Sequence, residues 1–308
     1  MLLFKTNKQN LSSLKEIPFK LERDLQKIFE AHLTELTQLT LVKSEFIIKN
    51  YRLDTLAFDE TAKAFVVIEY KRSNSNSVVD QGIAYLNLML DYKAEFIVEY
   101  NERFTKSLRR DEVDWSQTKV MFVSPGFNEN QKQATNFKDL AIELWEVKQF
   151  EGEILTVNPI KKSKSAPSIK QLQGTEDTEF KKVVNEIKVY TEEDHLQDKR
   201  EEVKELYETF KDAILNLAND TDIKPKKQEI GFTRNGKIFS DICILKNSLK
   251  LWVNLKKGKL DDPKGLARDV SRLGHWGNGD YEIAIKDTKD LEYIMSLVKQ
   301  AIPDYWLT

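Results

Sequence analysis

The sequence predicts an α/β N-terminal domain built on a mixed sheet, followed by a compact α+β C-terminal domain. Three observations lead there. At 308 residues the chain is long enough for two domains. Its first half orders apolar patterns as α-β-β-β-α-β and then further β/α units, as expected of helices layered on a sheet. Its last third sets several strands around Asn235-Gly236, the strongest short hairpin signal, between two helical stretches.

Taken in order, Met1–Lys15 is a polar lead-in with one strand expected at Leu2–Lys5. Ile17-Pro18-Phe19 opens a helix expected to reach about Leu36, with Leu21, Leu25, Ile28, Phe29 and Leu33 on one stripe. Leu41–Lys49, Tyr51–Phe58 and Ala64–Tyr70 read as three consecutive strands. The polar turn Asp59–Lys63 makes the last two a hairpin. Ala64–Tyr70 is an apolar run rich in β-branched residues, which suits a strand buried on both faces. Ser73–Ser77 is a polar loop and Val78–Tyr92 a helix. A strand at Glu95–Tyr100, a helix near Glu102–Val113, a strand at Lys119–Ser124, a helix near Glu129–Leu140 and a strand at Ala141–Val147 complete the first domain.

Composition narrows the function classes. A hydrophobic fraction of 40% and a charged fraction of 32% describe a soluble globular chain. The single Cys243 excludes a disulfide framework and suits a reducing cytoplasm. Three scattered histidines argue against a His-based zinc site. No window holds the roughly 18 apolar residues of a membrane span, and the start Met-Leu-Leu-Phe-Lys is too short for a signal peptide. With a formal net charge of −2 the molecule is not basic overall, so any nucleic-acid binding must use local patches.

The central strand carries the chemistry. A buried strand should not end in Glu69 and Lys71, because buried unpaired charge is costly. Residues two apart share a strand face, so these two point together, and Asp54 on the neighbouring strand reaches the same spot. Two carboxylates and an ammonium there are either a metal site or a salt bridge. As a metal site, Asp54 and Glu69 are hard oxygen ligands suited to Mg²⁺, and Lys71 would orient water and stabilise charge at phosphorus. Glu22 lies in the first turn of its helix, where the dipole favours an anion. Gln81 and Tyr85, four apart, share a helix face.

Glu22, Asp54, Glu69-Tyr70-Lys71 and Gln81-x-x-x-Tyr85 together resemble the PD-(D/E)xK nuclease superfamily. The Gln-x-x-x-Tyr element is similar to that of RecB-like nucleases and type I restriction subunits, and Arg52-Leu-Asp-Thr-Leu through Ile68-Glu-Tyr-Lys resembles NucS-like endonuclease domains. The resemblance covers about Phe19 to Val147 and implies a restriction-endonuclease-like αβββαβ core. It implies Asp54, Glu69 and Tyr70 as metal positions, Lys71 as the catalytic lysine, and Glu22 as the helix acid. Gln81 and Tyr85 would position the site or the DNA backbone. Leu53 stands where the family's named proline precedes the Asp, a replacement common in this superfamily.

Residues 158–179, with two Pro, four Lys and three Ser, read as an extended basic linker between domains at 1–157 and 180–308. Its lysines make either a phosphate-contacting tether or a solvated hinge. In the second domain, Leu196–Leu217 is an amphipathic helix, followed by strands at Gln228–Thr233, Lys237–Leu245 and Ser248–Leu255. A helix near Pro263–Leu273, a strand at Tyr281–Ile285 and a helix at Asp287–Ala301 follow. Lys246, Lys250, Lys256, Lys257 and Lys259 meet no acid before Asp261, which predicts one basic edge. Tyr190–His195, Asp262-Pro-Lys-Gly265 and Gly274-His-Trp-Gly-Asn-Gly-Asp280 resemble a domain of unknown function found in restriction-associated proteins. His275 and Trp276 would either form a stacking pocket for a base or plug a glycine-rich turn.

The expectation is therefore a cytoplasmic, Mg²⁺-dependent DNA endonuclease of restriction or genome-defence type, with Mn²⁺ as a substitute ion. Its partners would be DNA and, as an option, a second copy of the chain, with no membrane. The alternative is an inactive nuclease fold that serves DNA binding or assembly.

Overall fold

In the computed structural model the described residues are 2–7, 10–72, 78–163, 165–169, 178–234, 236–273 and 277–303. They divide into two compact units, Met1–Val189 and Tyr190–Thr308.

The first unit opens with a two-stranded hairpin, β1 (Phe4–Asn7) and β2 (Asn10–Ser13), and a short β3 (Glu16–Ile17). Then come α1 (Glu22–Ala31), α2 (Leu33–Thr37), β4 (Thr40–Ile48), β5 (Tyr51–Asp59) and β6 (Ala64–Tyr70). After α3 (Val78–Asp91) and α4 (Lys93–Phe104) follow β7 (Lys119–Ser124), α5 (Glu129–Thr135), β8 (Ile142–Phe150), β9 (Ile154–Ile160) and α6 (Thr178–Glu186). Strands order as β3-β8-β7-β6-β5-β4, with β9 also on β8. Pairing is antiparallel from β4 to β6 and parallel across β6-β7-β8, so the sheet is mixed.

The alternation of β6 explains its apolar run. Val66, Ile68 and Tyr70 pack with Leu25, Phe29 and Leu33 from the first two helices. Phe65 and Val67 face the other way, into a core with Ile83, Leu86, Phe96 and Tyr100 of α3 and α4. Both faces of the strand are thus covered, as the sequence implied.

Four expectations for this unit change. The helix expected near Glu102–Val113 does not form: α4 ends at Phe104, with Thr105 in the left-handed region at φ 52°, and only a 3-10 turn at Arg110–Glu112 follows. The segment expected as a strand at Glu95–Tyr100 lies within α4, where buried Phe96, Ile97 and Tyr100 form one helical stripe. Six residues cannot separate period 2 from period 3.6 when apolar and polar residues mix this way. The first helix starts at Glu22 and breaks at His32, whose φ of −118° and ψ of 19° leave the helical region. The segment read as a linker belongs in part to the first unit. Asn158, Pro159 and Ile160 pair with β8, Ile169 is buried in the core, and Lys162 donates to the Leu140 carbonyl. Val183, Val184 and Ile187, in and just after α6, join the same core, so the first unit extends to Val189 rather than ending before residue 158.

The second unit contains α7 (Glu192–Leu196), α8 (Glu201–Leu215), β10 (Asp222–Pro225), β11 (Ile230–Arg234), β12 (Lys237–Ile244), β13 (Leu249–Val253), β14 (Arg268–Asp269), β15 (Tyr281–Ile285) and α9 (Leu291–Lys299). They form an antiparallel sheet in the order β10-β11-β12-β13-β15-β14. Arg234 pairs with Lys237, so the tight hairpin expected there is present, with Gly236 at φ 74°. The helix expected near Pro263–Leu273 does not form. Asp262 instead accepts the Ala267 N–H, and β14 joins the sheet. Ile242, Leu251 and Ile283 pack with Tyr207, Phe210, Ile294 and Val298 on the helix-covered face.

Candidate active site

The pairing of β5 with β6 stops at Thr55↔Ile68. One step further the side chain of Asp54 replaces the ladder: its Oδ2 accepts the Tyr70 N–H at 3.0 Å. On the far side β6 stays attached to β7, with the Lys71 N–H donating to Val123 at 2.9 Å. The sheet therefore opens on one side only, and Asp54 and Glu69 stand opposite each other across that opening.

Glu69 is buried and is the hub of the cluster. Its Oε1 accepts from Lys71 Nζ at 2.8 Å and from Gln81 Nε2 at 2.8 Å, and its Oε2 accepts from the Tyr85 hydroxyl at 3.1 Å. Gln81 also donates to the Tyr85 hydroxyl at 2.8 Å. The i, i+4 pair expected on α3 thus closes on the strand carboxylate. Gly82 permits this approach: a Cβ there would lie 2.4 Å from Ile142 Cδ1. Glycine inside a helix costs about 1 kcal/mol relative to alanine, offset here by close packing of helix on sheet.

Asp54 is the strained member. Burial and then the Glu69 charge push its carboxyl up to about 6, against the opposing Tyr70 N–H and Lys71, while Glu22 adds a little more repulsion. Among the described residues no hydrogen bond engages its other oxygen. Burial and the nearby Glu69 charge also raise the Tyr85 phenol, which stays protonated and donates.

Glu22 is displaced from the hub. Its Oε1 accepts the Arg72 N–H at 2.9 Å, while the Arg72 guanidinium donates to the Lys20 carbonyl at 2.7 Å. Sequence reading missed Arg72, and it also missed Gln26 and Glu30. Gln26 Nε2 donates to the Asp54 carbonyl at 3.0 Å and to Glu30 at 3.1 Å, and Glu30 accepts from Thr55, whose hydroxyl oxygen also lies 3.3 Å from the Tyr70 hydroxyl. The signal was available: Glu22, Gln26 and Glu30 are spaced by four, a polar stripe on an otherwise amphipathic helix. The Tyr70 side chain belongs to this network on the α1 face, so only its main chain faces Asp54.

The second unit holds the other expected residues. His275 and Trp276 lie outside the described residues. Acids from distant sequence meet three of the five lysines of the expected basic edge: Lys250 pairs with Glu282 at 3.2 Å, Lys257 with Asp269 at 2.5 Å, and Lys256 approaches Asp280 at 4.0 Å. A charged cluster that the sequence did not announce sits on the sheet face opposite α8 and α9. Asp241, fully buried, accepts from Lys226 Nζ at 3.2 Å, Asn254 Nδ2 at 2.9 Å, and the main-chain and side-chain nitrogens of Asn278. Lys226 also reaches Glu229 at 3.1 Å. Gly277 and Gly279 pack so closely on Trp252 and Val253 that a Cβ would clash at 2.3 and 2.0 Å.

Residues 192–302 match a family described as a domain of unknown function (DUF5655). An uncharacterized protein of Haemophilus influenzae is 58% identical over 304 residues, covering 99% of this chain and all of that protein. Two solved structures also match part of the chain, each with a TM-score of 0.22. A repair endonuclease from Pyrococcus abyssi is 14% identical, the match covering 39% of this chain and 44% of that one. An EndoMS–dsDNA complex is 12% identical, covering 44% and 59%. The match thus spans about half the length of those proteins, and likeness of that extent carries no functional weight.

Proposed function

This chain belongs to the same family as the Haemophilus influenzae protein, and we propose that its first unit is a Mg²⁺-dependent DNA endonuclease of restriction or genome-defence type. One observation supports this reading above the others. Asp54 and Glu69 repel each other across a gap in the sheet, and the Asp54 carboxyl is held up near 6 although Lys71 stands beside the pair. A salt bridge built for stability would leave both carboxylates comfortably ionised.

The donor chemistry fits a small hard cation. Among the described residues no three His, Cys, Asp or Glu side chains converge as a closed metal cluster. Mg²⁺ does not require one, since it binds through one or two carboxylates and retains water or phosphate oxygens. The Tyr70 N–H points at Asp54, and in a strand the carbonyl of a residue aims the same way as its N–H, which adds a main-chain oxygen to Asp54 and Glu69. Mg²⁺, or Mn²⁺ in its place, would supply charge neutralisation on the phosphodiester and an acidified water.

The remaining steps fall to this chain's own groups. Lys71 has its ammonium beside Glu69, suited to hold the attacking water and to offset negative charge growing at phosphorus. Gln81 and Tyr85 fix the Glu69 rotamer, and Gln26 fixes the Asp54 backbone. Glu22, anchored on Arg72, adds negative potential at the mouth of the gap. For the second unit, where acids offset Lys250 and Lys257 and approach Lys256, assembly or recognition through mixed charge fits better than phosphate contact.

Digestion of modified and unmodified phage DNA with Mg²⁺, beside Asp54→Ala, tests the proposal. Cleavage by the parent alone is expected. DNA binding without cleavage under any divalent ion would leave a non-catalytic binding module.

A further inference from the structure

We propose that the N-terminal hairpin β1–β2 is an arm that lies in a groove of duplex DNA beside the candidate nuclease site. The inference rests on the nuclease reading only for why DNA comes to that end of the sheet. Three features carry it.

The first is position. β6 and β7 run parallel, and Glu69 and Lys71 mark the C-terminal end of β6. β7 ends at Ser124, opposite Glu146, whereas β8 continues to Phe150 and receives β3 at Gln149 and Phe150. β3 therefore stands beyond the end of β7, at the same end of the sheet as the carboxylates. The hairpin is hung from that point, its base held by Lys15 N–H to Glu151 at 3.2 Å and Glu151 N–H to Lys15 at 3.0 Å. The chain then returns through Lys20, held by Arg72, to Glu22.

The second is that its own protein leaves the hairpin uncovered. It forms a separate two-stranded sheet of four-residue strands, a size only marginally stable alone. Phe4 is 49% exposed and Leu11 69% exposed, and Lys5, Asn10, Ser12 and Ser13 are exposed as well.

The third is chemical. No acid occurs in the first 15 residues, which contain Lys5, Lys8 and Lys15, although acids outnumber bases in the whole chain. The pairing of Lys5 with Ser12, and the strand alternation that puts Asn10 on the Ser12 side, gather a lysine, a hydroxyl and an amide on one face. These are group types that contact phosphates and base edges, the Ser12 hydroxyl exchanging a long 3.4 Å bond to the Lys5 carbonyl for one to DNA. Phe4 and Leu11 share the opposite face, suited to sugars and thymine methyls. The major groove, about 12 Å wide, admits a two-stranded ribbon.

The test is fluorescence anisotropy of the full chain with a labelled 24-base-pair duplex (about two helical turns) in Ca²⁺, over a salt series, for the parent and for Lys5→Ala/Asn10→Ala/Ser12→Ala. We expect the variant to bind at least fivefold more weakly at low salt, with a log–log salt slope smaller by about 0.9, the share of one phosphate contact. Parallel plasmid digestion separates the two readings. Weaker variant binding with no cleavage by the parent supports the arm and sinks the nuclease. Cleavage by the parent with unchanged variant binding sinks the arm alone, and a parent that neither binds nor cleaves duplex sinks both readings. A variant whose sedimentation shifts from dimer to monomer with DNA affinity intact would assign the hairpin to a second copy instead, overturning the proposal.

Discussion

Asp54→Asn should stabilise the protein while removing its chemistry. A carboxyl at about 6 in the folded state and 3.8 unfolded binds more protons folded than unfolded between those values, so stability falls as pH rises through that window. The shift of roughly 2 pKa units corresponds to a ceiling of about 3 kcal/mol at pH 8. Partial solvent access at the mouth of the gap discounts this to about 1–2 kcal/mol. Asparagine keeps an acceptor for the Tyr70 N–H and removes the repulsion with Glu69. For a unit of this size each kcal/mol moves Tm by about 2–4 °C, so the variant should melt some 2–8 °C above the parent at pH 8. Near pH 4, where the parent's own carboxyl is protonated, the gain should vanish. Mg²⁺ should raise the parent's Tm by mass action on the folded state, hardly move that of the variant, and bind the parent less well below about pH 6. Differential scanning calorimetry at both pH values, with and without Mg²⁺, checks all of this. An Asp54→Asn protein that is less stable than the parent at pH 8, or equally more stable at both pH values, would refute the electrostatic account of the site.

Three further outcomes follow from the geometry. Lys71→Ala should abolish plasmid cleavage and change DNA affinity less than about threefold, since a single phosphate contact at most is lost; a matched loss of binding in a gel shift would make Lys71 a phosphate anchor. Replacing Lys256, Lys257 and Lys259 together by Ala should flatten the salt slope of DNA binding by no more than about 0.9, the share of one contact, because Asp280 and Asp269 already offset two of these charges; a slope flattened by two or more would restore the basic edge. Asp241→Ala leaves Lys226 buried with only Glu229 and should cost the second unit about 3–5 kcal/mol, seen as loss of one calorimetric transition while the Mg²⁺-sensitive one persists.

Legibility in the sequence followed the range of the interactions involved. The strand trio, the hairpin at Asp59–Lys63 and the meeting of Glu69, Lys71, Gln81 and Tyr85 rest on local rules, period 2 on a strand and spacing four on a helix. What failed was non-local. Glu95–Tyr100 became helix because Phe96, Ile97 and Tyr100 find a sheet to cover. The lysines around residue 256 looked unopposed because Asp269, Asp280 and Glu282 enter from later strands and loops. Residues after Asn158 read as linker because strand partners on β8 and the face of α3 are not visible in that segment's own composition.

The two buried carboxylate clusters show what separates a site from a staple. Burial alone cannot, because Glu69 and Asp241 are both buried. Satisfaction can. Asp241 receives nitrogen donors from Lys226, Asn254 and Asn278 on both oxygens, so its charge is fully used in tying the glycine-containing turn at Gly277 and Gly279 to the sheet. An added cation would have to displace donors that already hold the fold, at the cost of leaving them buried and unmet. Asp54 receives one main-chain donor on one oxygen and repulsion from Glu69 on the other side. A divalent ion there would offset that repulsion and would compete with Lys71, Gln81 and Tyr85 for Glu69; of these the lysine is the flexible one, able to turn to water and phosphate. On the proposed reading the ligand would enter at Asp54, the carboxylate with an unengaged oxygen among the described residues, beside Glu69, which Gln81 and Tyr85 hold in place, while Gln26 holds the Asp54 main chain.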